Sequence, residues 1–432
     1  ALALRLRAAD DALVRALPRA EAALAGAGRP GTLTLIKGSR DVDGEVFGRQ
    51  DNIEVTVVSA ALAPVWWALV LMLMAGTATC FTVLMVWILV NALHWATLVD
   101  DDPEVTSRRM AQDGRLRAGV QPLFLFMRGW LGALSWVAYP RVRGPLEGYL
   151  VSRAVVTGAG HLADDGTLWL SGKAEATTRW WRSDLDPRHG EMAVLATHNL
   201  AKPVIRIPWS GVGALFGRRQ RLQIGVADSN RCETAEVLAV TGLARVVELA
   251  ERGGLRDAPR FADPAAALRT LAADTSLTAA VTDRKGRAWT ALELQGYYRA
   301  RVAEAFPDDP VVAVWGELLA GIRDDRSAWI GRVDWVTKEA LLAQCAHDAP
   351  FEVRKRLDIQ YGELGGGPFE RLMGALRPPP LLDPADVRAA LHVAPEGPAA
   401  LRGRLLEEHG DALVSVAWCH VRLADRVVWL RR

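Results

Sequence analysis

The chain has 432 residues, half of them hydrophobic and 24% charged, with a formal net charge of +2. That length suffices for two or three domains with a sizeable core, and the composition excludes a disordered chain. Basic and acidic residues are mixed along the chain, so no electrostatic footprint for nucleic acid is present. Cys80, Cys232, Cys345 and Cys419 show no CxxC spacing, which argues against a zinc knuckle and a disulfide framework. Eight histidines without an HExxH pair support no histidine metal centre.

The chain opens on "LRLRAADDALVRALPRAEAALAG", which has helical spacing and a Gly-rich stop. Asp10, Asp11 and Glu21 argue against a transit peptide, and the Ala at position 1 suggests a chain that begins partway into a longer protein. "TLTLI" and "IEVTVV" alternate as strands do, with a polar Gly-containing loop between them. From Val55 to Val99 there are 45 residues without Asp, Glu, Lys or Arg. One membrane-spanning helix needs roughly 20 apolar residues, so the run is long enough for two. Its least hydrophobic point, Ala75 to Thr79, marks the expected turn, and Trp66, Trp67, Trp87 and Trp95 lie toward the ends, where aromatic belts form. The alternative is a buried core helix pair, which would need apolar neighbours on every side.

"DDDPEVTSRRMAQDGRLR" reads as a charged linker, and "VQPLFLFMRGWLGALSWVAYPRVRG" as an interfacial or docking helix. Strand-like runs follow: "LVSRAVVTGAGHL", "GTLWLSG", "KPVIRIPW" and "RLQIGVAD". "CETAEVLAVTGLARVVELAERGG" predicts a helix ending at Gly253 and Gly254. Residues 287–350 read as mostly helical. Two short helices divided by Pro-rich turns and a last strand, "LVSVAWCHVRL", close the chain.

No phosphate-loop, GxSxG or dinucleotide fingerprint occurs. Three polar constellations remain. Lys37, a loop, and then Asp51-Asn52 at a strand start could set a cation and a metal-binding carboxylate around a phosphate, or could be a solvated loop. Asp228, Ser229 and Asn230 end an apolar strand, a common place for ligand contacts, and equally could cap the next helix. Asp334 and Lys338 stand four apart, as in an ordinary helical ion pair.

Taken in order, "LTLIKGSRDVDGEVFGRQDNIEV", "SRAVVTGAG", "VADSNRCETAEVLAVTGLARVVELAERG", "ALELQGYYRARV", "RVDWVTKEALL", "LDIQYGEL", "LRGRLLEE" and "AWCHVRL" resemble the Pup ligase and Pup deamidase/depupylase family of actinobacterial pupylation. The resemblance covers most of residues 1–58 and 150–432. It implies an α+β, glutamine-synthetase-like fold: a curved, mostly antiparallel sheet with outer helices and a small C-terminal domain. On it the chain divides into 1–58, a 59–145 hydrophobic insertion, 146–348 and a 349–432 C-terminal domain. It also implies ATP and Mg2+ as cofactors, a Pup-like protein tail and target proteins as partners, and chemistry through an acyl phosphate. Carried over position by position, nucleotide contacts fall to Lys37, Asn52, Arg153, Asp228, Ser229 and Asn230, with Arg402 and Arg404 as further candidates, and metal binding to Asp51.

The departures are specific. The family's metal-binding Glu residues and catalytic Asp are expected upstream of Ala1. Gly38-Ser39 stands for Asn-Asn, Gln50-Asp51 for His-Glu, and "RIPWSGVG" lacks a charged run. Two readings follow. One is an ATP-dependent pupylation-type ligase or amide hydrolase, to which the "WCHVRL" ending adds a slight lean toward the ligase. The other is a degenerate, membrane-tethered paralogue that binds nucleotide or a protein tail without turnover. The resemblance puts the strands on either side of the hydrophobic run in one sheet, so membrane crossings should be even in number. The expectation is a two-helix hairpin turning near Gly76, on a cytoplasmic domain at the inner membrane, with Arg108, Arg109, Arg115 and Arg117 on a cytoplasmic return.

Overall fold

The described residues fall into two units, 1–35 with 363–432, and 36–362. A computed structural model describes the chain apart from residues 1, 30, 42–44, 47–48, 184–201, 208–215, 347, 394–397, 417–419 and 430–432; within 100–139 it describes 102, 105, 106, 109, 114, 121, 125, 126, 129 and 130. The first unit contains α1 (Leu2–Gly26), which packs on the helix Pro384–Ala390 and buries Ala3 and Ala8. Its three-stranded sheet runs Val427–Trp429, His420–Leu423, Leu413–Val416 in spatial order. Val421 and Leu423 cover Leu405 of the helix Pro398–His409. The single closing strand expected from the sequence is therefore an antiparallel meander.

The second unit is built on four strands: β1 (Asp51–Thr56), β2 (Thr177–Ser183), β3 (Lys202–Ile207) and β4 (Arg219–Ile224). Their spatial order is β1-β4-β3-β2. β1 pairs with β4 antiparallel from Asp51 opposite Ile224 to Thr56 opposite Arg219. β3 is antiparallel to β4, and β2 is parallel to β3. Val55, Val204, Ile205, Leu222 and Ile224 are buried in one core with Leu268 and Leu271 of the helix Pro264–Ala273, Tyr298 and Trp315. The outer helices start where the sequence supplies caps. Asp263 accepts from Ala265 and Ala266 N–H, Asp309 accepts from Val311 N–H, and Thr290 with Glu293 forms a reciprocal capping box. The helix expected from "CETAEV" spans residues 233–251, with a π turn at Leu238–Gly242, and Gly253 follows at φ +79°. The fold class is thus α+β with a mainly antiparallel sheet.

Three expectations are corrected. "TLTLI" joins no sheet. "SRAVVT" is helical, in Glu147–Ser152 and Ala154–Thr157, not a strand. Every residue there is buried, and a run buried on all sides has no period to separate helix from strand. The largest correction concerns the hydrophobic run. A single helix, α2 (Ala63–Ala96), passes without a break through Ala75-Gly76-Thr77-Ala78-Thr79, so Gly76 is not a turn. A lone Gly costs a helix only about 1 kcal/mol, and no proline interrupts the ladder. Gly76 has a different task. A Cβ there would lie 1.9 Å from Phe126 Cζ, so only glycine lets the Phe126 ring sit on the helix. The expected interfacial helix and return arginines fall mostly outside the described residues, including Arg108, Arg115, Arg117 and Arg128, as do residues 208–213 of "RIPWSGVG".

Candidate active site

β1 begins with the residues that matter most. Side chains alternate across a strand, so Asp51 and Asn52 face opposite ways. Asp51 is buried, and both of its oxygens are taken. Oδ1 accepts from Arg49 Nε at 2.8 Å, and Oδ2 accepts from Arg153 Nη2 at 2.6 Å. Burial pushes its carboxyl up, yet Arg153 and Arg49 together hold it below the usual carboxylate range. Asn52, on the other face, accepts from Arg221 Nε at 2.8 Å and takes no part in this cluster.

The cluster continues through Arg49. Its Nη1 donates to Glu236 Oε1 at 2.6 Å, and Lys37 Nζ lies 3.6 Å from the other oxygen of Glu236. Its backbone N–H donates to Ser229 Oγ at 3.3 Å, and its carbonyl accepts from Lys173 Nζ. Burial lowers the Lys173 ammonium to about 8, against the pull of Asp228 and Asp51. Arg153, 1% exposed, gives a second bond to Ala239 O at 2.8 Å, while its Nε and Nη1 are buried without a partner.

Asp228, Ser229 and Asn230 form a latch. Asp228 Oδ2 accepts from Ala159 N–H at 3.0 Å, and Ser229 N–H donates to Ser39 Oγ at 3.1 Å. Asn230 Nδ2 donates to Thr157 O at 2.8 Å and Asp334 Oδ2 at 3.1 Å. None of the three caps the next helix, whose N-cap is Cys232. Nor does Asp334 pair with Lys338. Asp334 opens α3 (Asp334–Leu342) and accepts from Arg231 N–H at 2.7 Å and Tyr361 Oη at 2.9 Å. Its burial raises its carboxyl despite these donors.

Lys338 turns instead to Asp358 of α4 (Phe351–Gln360), at 2.7 Å, and to Gly160 O at 2.9 Å. Asp358 also neighbours Lys355 at 3.4 Å and His161 at 3.6 Å. Burial holds His161 neutral, down at about 3, although Asp358 favours its cation. Lys37, Gly38, Ser39, Arg40, Gly160, His161, Ser229, Lys338 and Asp358 line one narrow cleft of about 30 Å³, room for a water or two.

The structure therefore gathers Lys37, Asp51, Arg153, Asp228, Ser229 and Asn230 into one region and leaves Asn52 on the far face. Arg402 and Arg404 belong to the other unit, on the helix Pro398–His409. Sequence reasoning missed Arg49, Lys173, Glu236 and Asp358. Only Arg49 carried a local signal, its place two residues before Asp51, just ahead of the strand. The expected magnesium site at Asp51 is not supported. Each Asp51 oxygen keeps a further lone pair, but the Arg49 and Arg153 cations in contact with it repel a divalent ion. Among the described residues, no three His, Cys, Asp or Glu side chains cluster as metal ligands.

A family model for the Pup-ligase protein matches residues 2–422. The chain is 31% identical over 300 residues to the Pup–protein ligase of Acidimicrobium ferrooxidans, covering 64% of this chain and 62% of that protein. It is 28% identical over 287 residues to a depupylase of Acidothermus cellulolyticus, covering 62% and 55%. The aligned part thus spans less than two thirds of either relative. Among solved structures, the Pup ligase PafA in complex with ADP matches with a TM-score of 0.63 at 19% identity, covering 99% of this chain and 79% of that one. The complex of Pup with PafA matches with a TM-score of 0.61, also at 19% identity, covering 99% and 73%. The order of motifs, the α+β architecture and the family match agree, and this chain belongs to the Pup ligase family.

Proposed function

We propose that the protein is a membrane-attached member of the Pup ligase family that binds a nucleotide or the acidic tail of a Pup-like protein without metal-dependent turnover at Asp51. The observation that carries this reading is the Arg49–Asp51–Arg153 arrangement. An acyl-phosphate mechanism needs metal ions to neutralise phosphate charge while the carboxylate is activated. Here the carboxylate at the start of β1 is already neutralised by fixed guanidinium groups, which bind anions well and cannot be deprotonated. ADP and Pup enter as ligand classes because the fold relatives were solved with them.

Calorimetry with ADP and ATP, in Mg2+ and again in EDTA, tests this. We expect binding that EDTA leaves within about twofold, and no phosphate release. Mg2+-dependent ATP hydrolysis, ligation or deamidation that Asp51→Asn abolishes would replace this reading with the pupylation-type enzyme.

The attachment rests on α2. Residues 60–96 have a mean hydropathy of 2.2 over their most apolar window, of which 11% is buried. That small buried share supports attachment, because the core helix of a domain in water is mostly buried. Recovery of the full chain in a membrane fraction that resists alkaline carbonate is expected. Recovery as a soluble species without detergent would overturn it.

A further inference from the structure

Resting on that attachment, we infer that α2 is a stem built into the domain, so that a lipid bilayer receives only its distal part, from Met74 to Ala96, and the domain sits flush on the membrane surface. Three observations carry this. The first is continuity. β1 ends at Thr56, Val57 and Val58 are 1% exposed, and a single helical turn at Ala60–Leu62 leads straight into α2. Val57 N–H still bonds Arg218 O at 2.9 Å, so the ladder with β4 reaches almost to the helix. No linker separates domain from helix.

The second is shared packing. Trp66, Val70 and Leu73, one face at helical spacing, belong to the same buried core as Val55 and Leu222. Trp67 Nε1 donates to Phe216 O at 2.9 Å, and Trp67 remains part exposed, as interfacial tryptophans do. The returning chain meets the helix at the end of this zone, where Phe126 sits on Gly76.

The third is the loss of the covered face beyond Leu73: up to that point Trp66, Val70 and Leu73 are buried while Val65, Leu71 and Met72 on the other face are exposed. Val83, Val86, Leu89, Val90 and Leu93 are exposed, Leu93 by 88%, while Asn91 is 8% exposed and the half-buried His94 lies in the last turn. The exposed hydroxyls satisfy themselves. Thr79 Oγ1 donates to Ala75 O and Thr82 Oγ1 to Ala78 O, each at 3.0 Å, and Asn91 Nδ2 donates to Trp87 O at 2.9 Å. Lipid demands that every polar group be satisfied within the chain, and water does not. From Met74 to Ala96 the helix runs about 34 Å at 1.5 Å per residue, against a hydrocarbon core of about 30 Å. A protein partner would need no such match. Leu146 and Tyr149, just past the insertion, lie in the same core as Val55, so both ends of the insertion are on the domain side.

The test uses the full chain with vesicles of phosphatidylcholine and phosphatidylglycerol, and in detergent. Wild type should float with vesicles and resist carbonate. Val86→Lys, near the middle of the distal part, should lower the floated fraction at least tenfold. In detergent, Trp66→Ala should lower the thermal midpoint of the domain by about 5–10 °C, with Val70→Ala as the milder variant should Trp66→Ala fail to fold. Leu93→Ala should leave the midpoint unchanged. A wild-type chain that stays soluble, alone or as a dimer, sinks the attachment and the stem together. A chain that floats, but whose midpoint ignores both Trp66→Ala and Val70→Ala, sinks the stem and leaves the attachment standing.

Discussion

β1 joins two regions that invert the usual rule for side chains in opposite ways. At its start, Asp51, Arg49, Arg153, Lys173 and Glu236 draw charge inward. Beyond its end, α2 turns leucine, valine and methionine outward over more than twenty residues. Buried charge persists in the first region because each carboxylate has cations in contact and each cation has an acceptor. The apolar surface of the second holds its shape because the helix satisfies its own backbone and its own hydroxyls. One region depends on mutual pairing, the other on self-sufficiency, so single substitutions should hurt the first far more than the second.

Removing one partner from the buried cluster is the strongest way to break that contrast. Arg153→Met should cost about 3–5 kcal/mol in denaturant unfolding, because Asp51 stays buried with a single cation. Asp51→Leu combined with Arg153→Met should recover most of the loss. If the double variant is as unstable as the single, lost packing and not stranded charge explains the cost.

Lys173 gives a second probe. Its ammonium is lowered to about 8 when folded and stands near 10.4 when unfolded. Between those values the unfolded chain holds more protons, so the Lys173 contribution to stability rises with pH, by at most about 3 kcal/mol. Plotted against pH from 7.5 to 10, the thermal midpoint of wild type should climb relative to Lys173→Met. A flat difference would mean that Lys173 is not desolvated as the structure shows.

On the apolar side, Gly76→Leu should cost about 1–3 kcal/mol by displacing the Phe126 ring, and Phe126→Ala in the same chain should relieve it. Smallest of all, Glu304→Ala breaks an exposed pair with Arg301 and should shift stability by no more than about 0.5 kcal/mol. A larger shift there would undo the distinction between buried and exposed charge.

Much of the fold was legible where local rules are strong. The alternation of "IEVTVV", the Gly-terminated helix after Cys232 and the mostly helical run of residues 287–350 are where the pattern put them. "SRAVVT" was misread because burial on every side erases periodicity, and the Gly76 turn because a composition dip in a long apolar run is weak against a cooperative helix. The site was half legible. Lys37, Asp51 and Arg153 follow from the order of motifs, but Arg153 reaches Asp51 across 102 residues of chain, and Glu236 reaches Arg49 across 187. No local window contains such pairs.

The sequence by itself determined the family, the α+β class and the presence of an uncharged run long enough to cross a bilayer, because these depend on residue order, periodicity and composition. Only the tertiary structure decided that Asp51 is closed by two arginines, that Asp334 and Lys338 turn to different partners, and that Gly76 seats a ring within a straight helix. Each of those outcomes depends on which side chains meet across the fold, and electrostatics and packing act through distance in space, not along the chain.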